Sequence, residues 1–343
     1  MQIPYRAEFF DRQLNYKFFS VVEQPEIKMD YLTLDKTSLT VPSVIEIDRG
    51  WFCRIVRGAN QVFQGIVASV SQSKSSTTIT ISPMIALFDT QVYKDRTSYN
   101  KTNIEGWIAG ILRENFSVHN GIDGVVENIQ GFTVTTNSST NGVALSLDDN
   151  IHYFWSEIAT KAIENGKVAI ECSFDPMLKT VSAIVKSFAA VSEITLESDL
   201  PNVISRNFTM GDRLGGPNKA MIINQDNESQ QQFFFSSDYA PPTVLNIERI
   251  TVKTGKTFAE TASERASEIL NTSEFNSLIE LQYREDDMIV PEIKIGQPCR
   301  ILKSNLIYHS VLTGITLKGG IKTLIFGGVR VNLTQKLKLK GAI

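Results

Sequence analysis

The chain has 343 residues, of which 42% are apolar and 21% charged, a balance that excludes a disordered chain or a fibrous repeat and leaves apolar surface for two or three cores. Its formal net charge of −3, from 34 basic and 37 acidic residues, excludes the broad positive field of a dedicated nucleic-acid binder.

The N-terminal MQIPYRAEFFDRQLNYKFF interrupts its apolar residues with charges, so it lacks the core of a signal peptide. No apolar run approaches the roughly 20 residues of a membrane helix, which predicts a chain made and folded in the cytoplasm with no membrane anchor. Three distant cysteines, Cys53, Cys172 and Cys299, fit buried thiols better than a disulfide framework, and no metal-ligand spacing or cofactor motif accompanies them.

From Tyr31 to Pro83 the pattern is strand after strand, VIEIDRG, WFCRIV, QVFQGIVASVS and TTITISP, with turn formers at Asp48-Arg49-Gly50 and Gly58-Ala59-Asn60. This predicts a β-meander closing into a barrel or sandwich over residues 1–98. The period then changes. Ile104, Trp107, Ile108, Ile111 and Leu112 share one helical face behind a Thr102/Glu105 capping box, and Ile151, Phe154, Trp155, Ile158, Ala162 and Ile163 predict a second helix over 151–165, stopped by Gly166. With the strands VAIECSF and VSAIVKSF these form an expected α+β unit over 99–198. Strand character returns from Leu200 to Pro242. A third helix is predicted over Phe258–Leu270, in an insert spanning 246–287, and a second β-barrel is expected from 199–245 plus 288–343. The alternation of Lys336, Lys338 and Lys340 with leucines reads as the wet face of a last strand. The fold class is therefore mostly β with an α+β insertion: two similar antiparallel barrel-like domains separated by an α+β domain and a helical insert.

Residues 290–328 read like a second copy of residues 41–83. Each opens with Val-Pro (Pro42, Pro291) and reaches a Cys-Arg-Ile (Cys53, Arg54 and Ile55; Cys299, Arg300 and Ile301). Each then turns into two more strands, the first copy with Gly65 in Val62-Phe63-Gln64-Gly65-Ile66-Val67. Cys299 follows Cys53 by 246 positions, and the later strands keep that offset with a slip of one. Two unrelated meanders can also look alike through shared alternation.

Catalytic patterns fail on spacing. ITVKTGKT before a helix mimics a phosphate loop, but the position that needs the first glycine is Ile250. Gly211-Asp-Arg-Leu-Gly-Gly216 lacks a strand-to-helix context. His119, His152 and His309 share no motif with a nucleophile, and the adjacent pairs Asp148-Asp149 and Asp286-Asp287 point in different directions. The sequence predicts no enzyme, no metal and no cofactor.

The segment Leu39–Val92, with its Phe-x-Gly at Phe63–Gly65 and its Pro-containing exit into Leu87-Phe88-Asp89, resembles the opening domain of phage tail hub proteins. These are the tail-tip or tail-associated proteins of siphophages and prophages and the baseplate hub of contractile-tailed phages. The resemblance covers the full length as an arrangement, but only residues 40–90 and 290–330 as motifs, and it carries over no catalytic residue. It implies a virion structural subunit of the tail, made in the bacterial host cytoplasm. It implies a homotrimeric ring in which two barrels per chain present six similar units to a six-fold tail tube. The implied partners are further copies of the chain, a tail tube or distal tail protein, a tape-measure protein, distal receptor-binding proteins, and DNA that passes without specific binding. A carbohydrate- or receptor-binding module of a phage particle is the alternative, with Phe233-Phe234-Phe235 and Tyr239 as its aromatic candidates.

Overall fold

A computed structural model describes residues 4–22, 25–93, 103–117, 129, 131–138, 151–164, 166–210, 218–235, 247–252, 258–270, 277–286 and 290–328. The chain begins with β1 (Tyr5–Phe10), β2 (Tyr16–Val22), β3 (Ile27–Asp30), β4 (Thr37–Val41), β5 (Phe52–Arg57), β6 (Asn60–Gln72) and β7 (Thr77–Pro83). A mixed group follows: β8 (Gln91–Tyr93), α1 (Ile104–Phe116), β9 (Phe132–Thr136), β10 (Ile151–Tyr153), α2 (Thr160–Glu164), β11 (Val168–Asp175) and β12 (Thr180–Ser187). The rest comprises β13 (Ile194–Glu197), β14 (Ser205–Met210), β15 (Lys219–Asn224), β16 (Gln231–Phe235), β17 (Ile247–Val252), α3 (Phe258–Leu270), β18 (Ser277–Arg284), β19 (Pro298–Lys303), β20 (Leu306–Lys318) and β21 (Ile321–Phe326).

Two curled sheets dominate, so the mostly-β expectation holds. The first runs β2-β1-β5-β6-β7-β4 and the second β13-β19-β20-β21-β18-β14. Period-two burial explains them: in β7 every other side chain from Thr77 to Pro83 is buried, and Ile79 and Ile81 are wholly so. In β20 the alternation breaks down and residues 310–315 are all buried, because both faces of the strand are covered there. The two sheets close over one shared core, to which the first gives Phe9, Ile55, Ile79 and Ile81 and the second gives Leu281, Cys299, Ile301, Leu324 and Phe326. A second core forms around α1, where Phe88 meets the edge of the Phe116 ring at 4.9 Å.

Four expectations change in detail. Helix α1 starts behind Asn103, whose Oδ1 accepts the Gly106 N–H at 2.8 Å; Thr102 lies outside the described residues. The predicted helix over 151–165 is a strand followed by a helix. Ile151–Tyr153 pairs with β8, and a π-helical turn over Phe154–Ala159 then leads into α2. Pairing with β8 overrides helical periodicity there and leaves Ile151 exposed, while Phe154, Trp155, Ile158, Ala162 and Ile163 are buried as the pattern predicts. Strands β15 and β16, expected in the second barrel, instead form a small sheet in the order β16-β15-β17 under α3, whose Ala262 and Ala266 pack on Ala220 and Ile222. Conversely β18, expected in the insert, lies between β21 and β14, because Ile279, Leu281 and Tyr283 alternate into the shared core. His119, Asp148-Asp149, Gly211–Gly216, Asp287, Tyr239 and the Lys336–Lys340 run lie outside the described residues.

Candidate assembly surface

The two Cys-Arg-Ile segments are β5 and β19, each the first strand of an antiparallel triplet. Cys53 lies opposite Gly65 and Cys299 opposite Ser310. Each first hairpin closes through two residues, Gly58-Ala59 or Ser304-Asn305, and each long middle strand carries a bulge, at Ala68 in β6 and Thr313 in β20. The one-residue slip in sequence offset has a physical location. In β6, Phe63 faces Ile55 and Gln61 faces Val56, leaving Val62 as an extra, bulged residue; in β20, Tyr308 and Ile307 face Ile301 and Leu302 consecutively. Beyond that bulge the registers coincide: Val67 faces Ile81 as Leu312 faces Phe326, and Val70 faces Ile79 as Ile315 faces Leu324.

The other singled-out residues divide by environment. Cys53, Ile55, Cys299 and Ile301 are wholly buried in the shared core. Arg54 joins Glu8 through Nε at 2.7 Å and Nη2 at 2.6 Å, whereas Arg300 lies opposite His309 and its Nε has no partner. Gly65 has no room for a side chain, since a Cβ there would lie 2.4 Å from the Ser82 carbonyl oxygen. Pro42 directly follows β4, but Pro291 lies in the longer connection between β18 and β19, so the two prolines do not share a place in the sheets.

The seam between the sheets is ionic where it meets solvent. The Tyr5 hydroxyl donates to Glu285 Oε1, and Arg57 Nη1 lies 3.0 Å from the same oxygen with its guanidinium over the Tyr5 ring. Burial, then the bond to Glu285, pushes the Tyr5 phenol well above its ordinary value. No sequence motif links residues 280 positions apart, so this contact is invisible to pattern reading. The strongest link between the sheets was also missed: β3 leaves the first sheet and pairs antiparallel with β20, Asp30 opposite Gly314 and Ile27 opposite Leu317. Four residues, IKMD, are too few to reveal a destination.

Chemistry is sparse on this framework. Burial raises the Cys53 and Cys172 thiols far above their ordinary range and pushes Cys299 up to about 12, so at neutral pH all three are thiols rather than nucleophilic thiolates. His309 Nδ1 lies 2.9 Å from the Glu193 carboxylate on an exposed surface. No cluster of three metal-ligating side chains occurs among the described residues. A cleft of about 1110 Å³ lies between the two sheets and β11; in it Arg57 pairs with Glu285 and Glu171 lies 3.8 Å from Lys294, and Asp286, Glu292 and Lys322 also line it. What the surface offers instead is apolar side chains and strand edges. Tyr16, Phe19 and Val21 stand out from β2, Leu306 and Ile307 from the tip of the β19–β20 hairpin, and Met177 and Leu178 from the β11–β12 turn. In the small sheet Phe234 packs inward, while Phe233 and Phe235 are exposed with Lys219 Nζ 4.4 Å and 5.3 Å from their ring centres. No described helix is long and apolar enough to cross a membrane.

Two curled sheets over one shared core, with a mixed unit between them, have counterparts among solved phage tail and baseplate proteins. No family profile and no curated protein sequence matches the chain. Solved structures do. The 43 kDa tail protein of prophage MuSo2 from Shewanella oneidensis superposes with a TM-score of 0.60 at 13% identity, over 95% of this chain and 98% of that one. Prophage tail protein gp18 from Listeria monocytogenes EGD-e gives 0.58 at 9% identity over 98% of both chains, and a chain of the p2 virion baseplate gives 0.51 at 10% identity over 94% and 98%. The fold is similar to theirs over 94% to 98% of the chain.

Proposed function

We propose that this chain is a structural subunit of a phage tail tip or baseplate hub, a homotrimer whose paired sheets continue the tail tube and join it to distal, host-contacting parts. The carrying observation is the coincident register of β5-β6-β7 and β19-β20-β21: one chain offers two near-equivalent units, and three chains offer six. The solved structures it resembles are tail and baseplate proteins, which supports a structural rather than an enzymatic role. The neighbours in such a particle would be the tail tube or a distal tail protein, the tape-measure protein and receptor-binding proteins, with DNA passing through unbound.

Light scattering over a wide concentration range tests this reading. A species of three times 38.3 kDa is expected. A stable dimer would overturn it. The exposed Phe233 and Phe235 beside Lys219 favour the receptor- or carbohydrate-binding reading. Saturable binding to host-surface glycans, lost in Phe233→Ala, would favour that reading.

A further inference from the structure

The joint between the two sheets is made once inside the chain, and the repeated register states where it can be made again. Strand β3 reaches β20 from a hairpin with β4: Glu26 bridges Ser38, and Thr37 Oγ1 accepts the Lys28 N–H at 3.0 Å. In the second sheet the strand equivalent to β4 is β18, since Ser38 faces Thr80 as Glu280 faces Ile325. The partner of β18 is β14, with Asn207 opposite Glu280 where Glu26 is opposite Ser38. Strand β14 is therefore the counterpart of β3. The counterpart of the β20 segment that β3 covers, Gly314–Leu317, is Ser69–Gln72 in β6. Among the described residues neither has its match: β14 ends the second sheet, and the stretch of β6 past its bulge pairs with β7 alone. Ser69, Ser71, Gln72 and Thr209 are exposed.

We propose that β14 of one copy adds antiparallel to the C-terminal half of β6 of the next, with Phe208, Thr209 and Met210 opposite Gln72, Ser71 and Val70. This rests on the ring reading and supplies its contact. The occupant is a second copy because the same chain already fills the equivalent edge of β20 with the equivalent strand. The faces agree. Val70 and Phe208 pack toward the shared core, as Ile315 and Met29 do in the internal joint, while Ser71 and Thr209 point to solvent. All six side chains are neutral, no proline interrupts either strand, and the backbone groups of both edges that pair with no strand among the described residues gain partners. Because β14 and the β6 edge are different surfaces, the contact is head-to-tail, and in the ring reading it alternates with the internal joint.

Paired cysteines read the register directly. In S71C/T209C, two exposed positions predicted to face each other, mild oxidation should give dimers and trimers on a non-reducing gel. Neither single variant nor S71C/S205C, four residues out of register, should do so. A trimer by light scattering with no register-specific cross-link would overturn the strand addition and leave the ring standing. A monomer at every concentration with no cross-link would overturn both.

Discussion

The β5-β6-β7 triplet and the β19-β20-β21 triplet share a register yet differ in what flanks them. β1 runs antiparallel to β5, with Phe9 opposite Cys53, whereas β13 runs parallel to β19, with Ile194 opposite Cys299. Arg54 is held by Glu8 on β1, and Arg300 lacks that partner. The part in common is the bulged, buried triplet, and the part that differs is the strand hydrogen-bonded beside its first strand. Curvature is what a ring of similar units needs held constant, because a change of register would turn every inward side chain outward.

The largest expected effect comes from testing whether the triplets are one cooperative body. Ile81 and Phe326 occupy the same register position and are both wholly buried in the shared core. Phe326→Ala should cost about 4 kcal/mol and Ile81→Ala about 3 kcal/mol, each shifting a single urea transition seen by both fluorescence and circular dichroism. Two separated transitions, with each variant moving only one, would show that the sheets unfold independently. A smaller effect separates the positions opposite the cysteines. Gly65→Ser places a side chain against the Ser82 carbonyl and the Ile81 side chain and should cost about 2 kcal/mol in the same denaturation measurement, against about 1 kcal/mol or less for the reciprocal Ser310→Gly.

The smallest effect belongs to the joints. Glu26 lies 3.0 Å from Lys318 and 3.4 Å from Lys28, and the hydrogen bond from Lys318, followed by the Lys28 charge, holds its carboxyl below the ordinary glutamate value. A depressed folded value means that its stabilisation is present above the unfolded pKa and fades as pH falls toward the folded one. Because both partners are partly exposed, Glu26→Gln should cost about 0.5 kcal/mol or less at pH 7 and nothing at pH 2, read as the difference between the two denaturation midpoints. Asn207, the counterpart of Glu26, has no charge to titrate. Trimer formation should therefore change little between low and high salt, which light scattering at both ionic strengths would check.

Much of this was legible in the residues. Period-two alternation gave the triplets, the helical stripes gave α1, α3 and the buried face from Phe154 to Ile163, and the cysteine offset showed a slip of one that only the strand pairing places at Val62. The failures have a common cause, because each depends on a partner far away in sequence. Ile151–Tyr153 is a strand because β8 lies beside it, β18 joins the second sheet because the core has a place for Ile279 and Leu281, and β3 crosses over because the edge of β20 is open. Periodicity reports which face of a segment is apolar, and it carries no information about which neighbour covers that face.

The crossing of β3 also bears on how quickly copies could come together. Strands β3 and β20 belong to one chain, so the β3–β20 joint forms without waiting for an encounter between copies. In the proposed ring every second joint is of this kind. Assembly then draws only on the remaining half, and the two kinds of unit enter in strict alternation at any concentration of the chain in the cell.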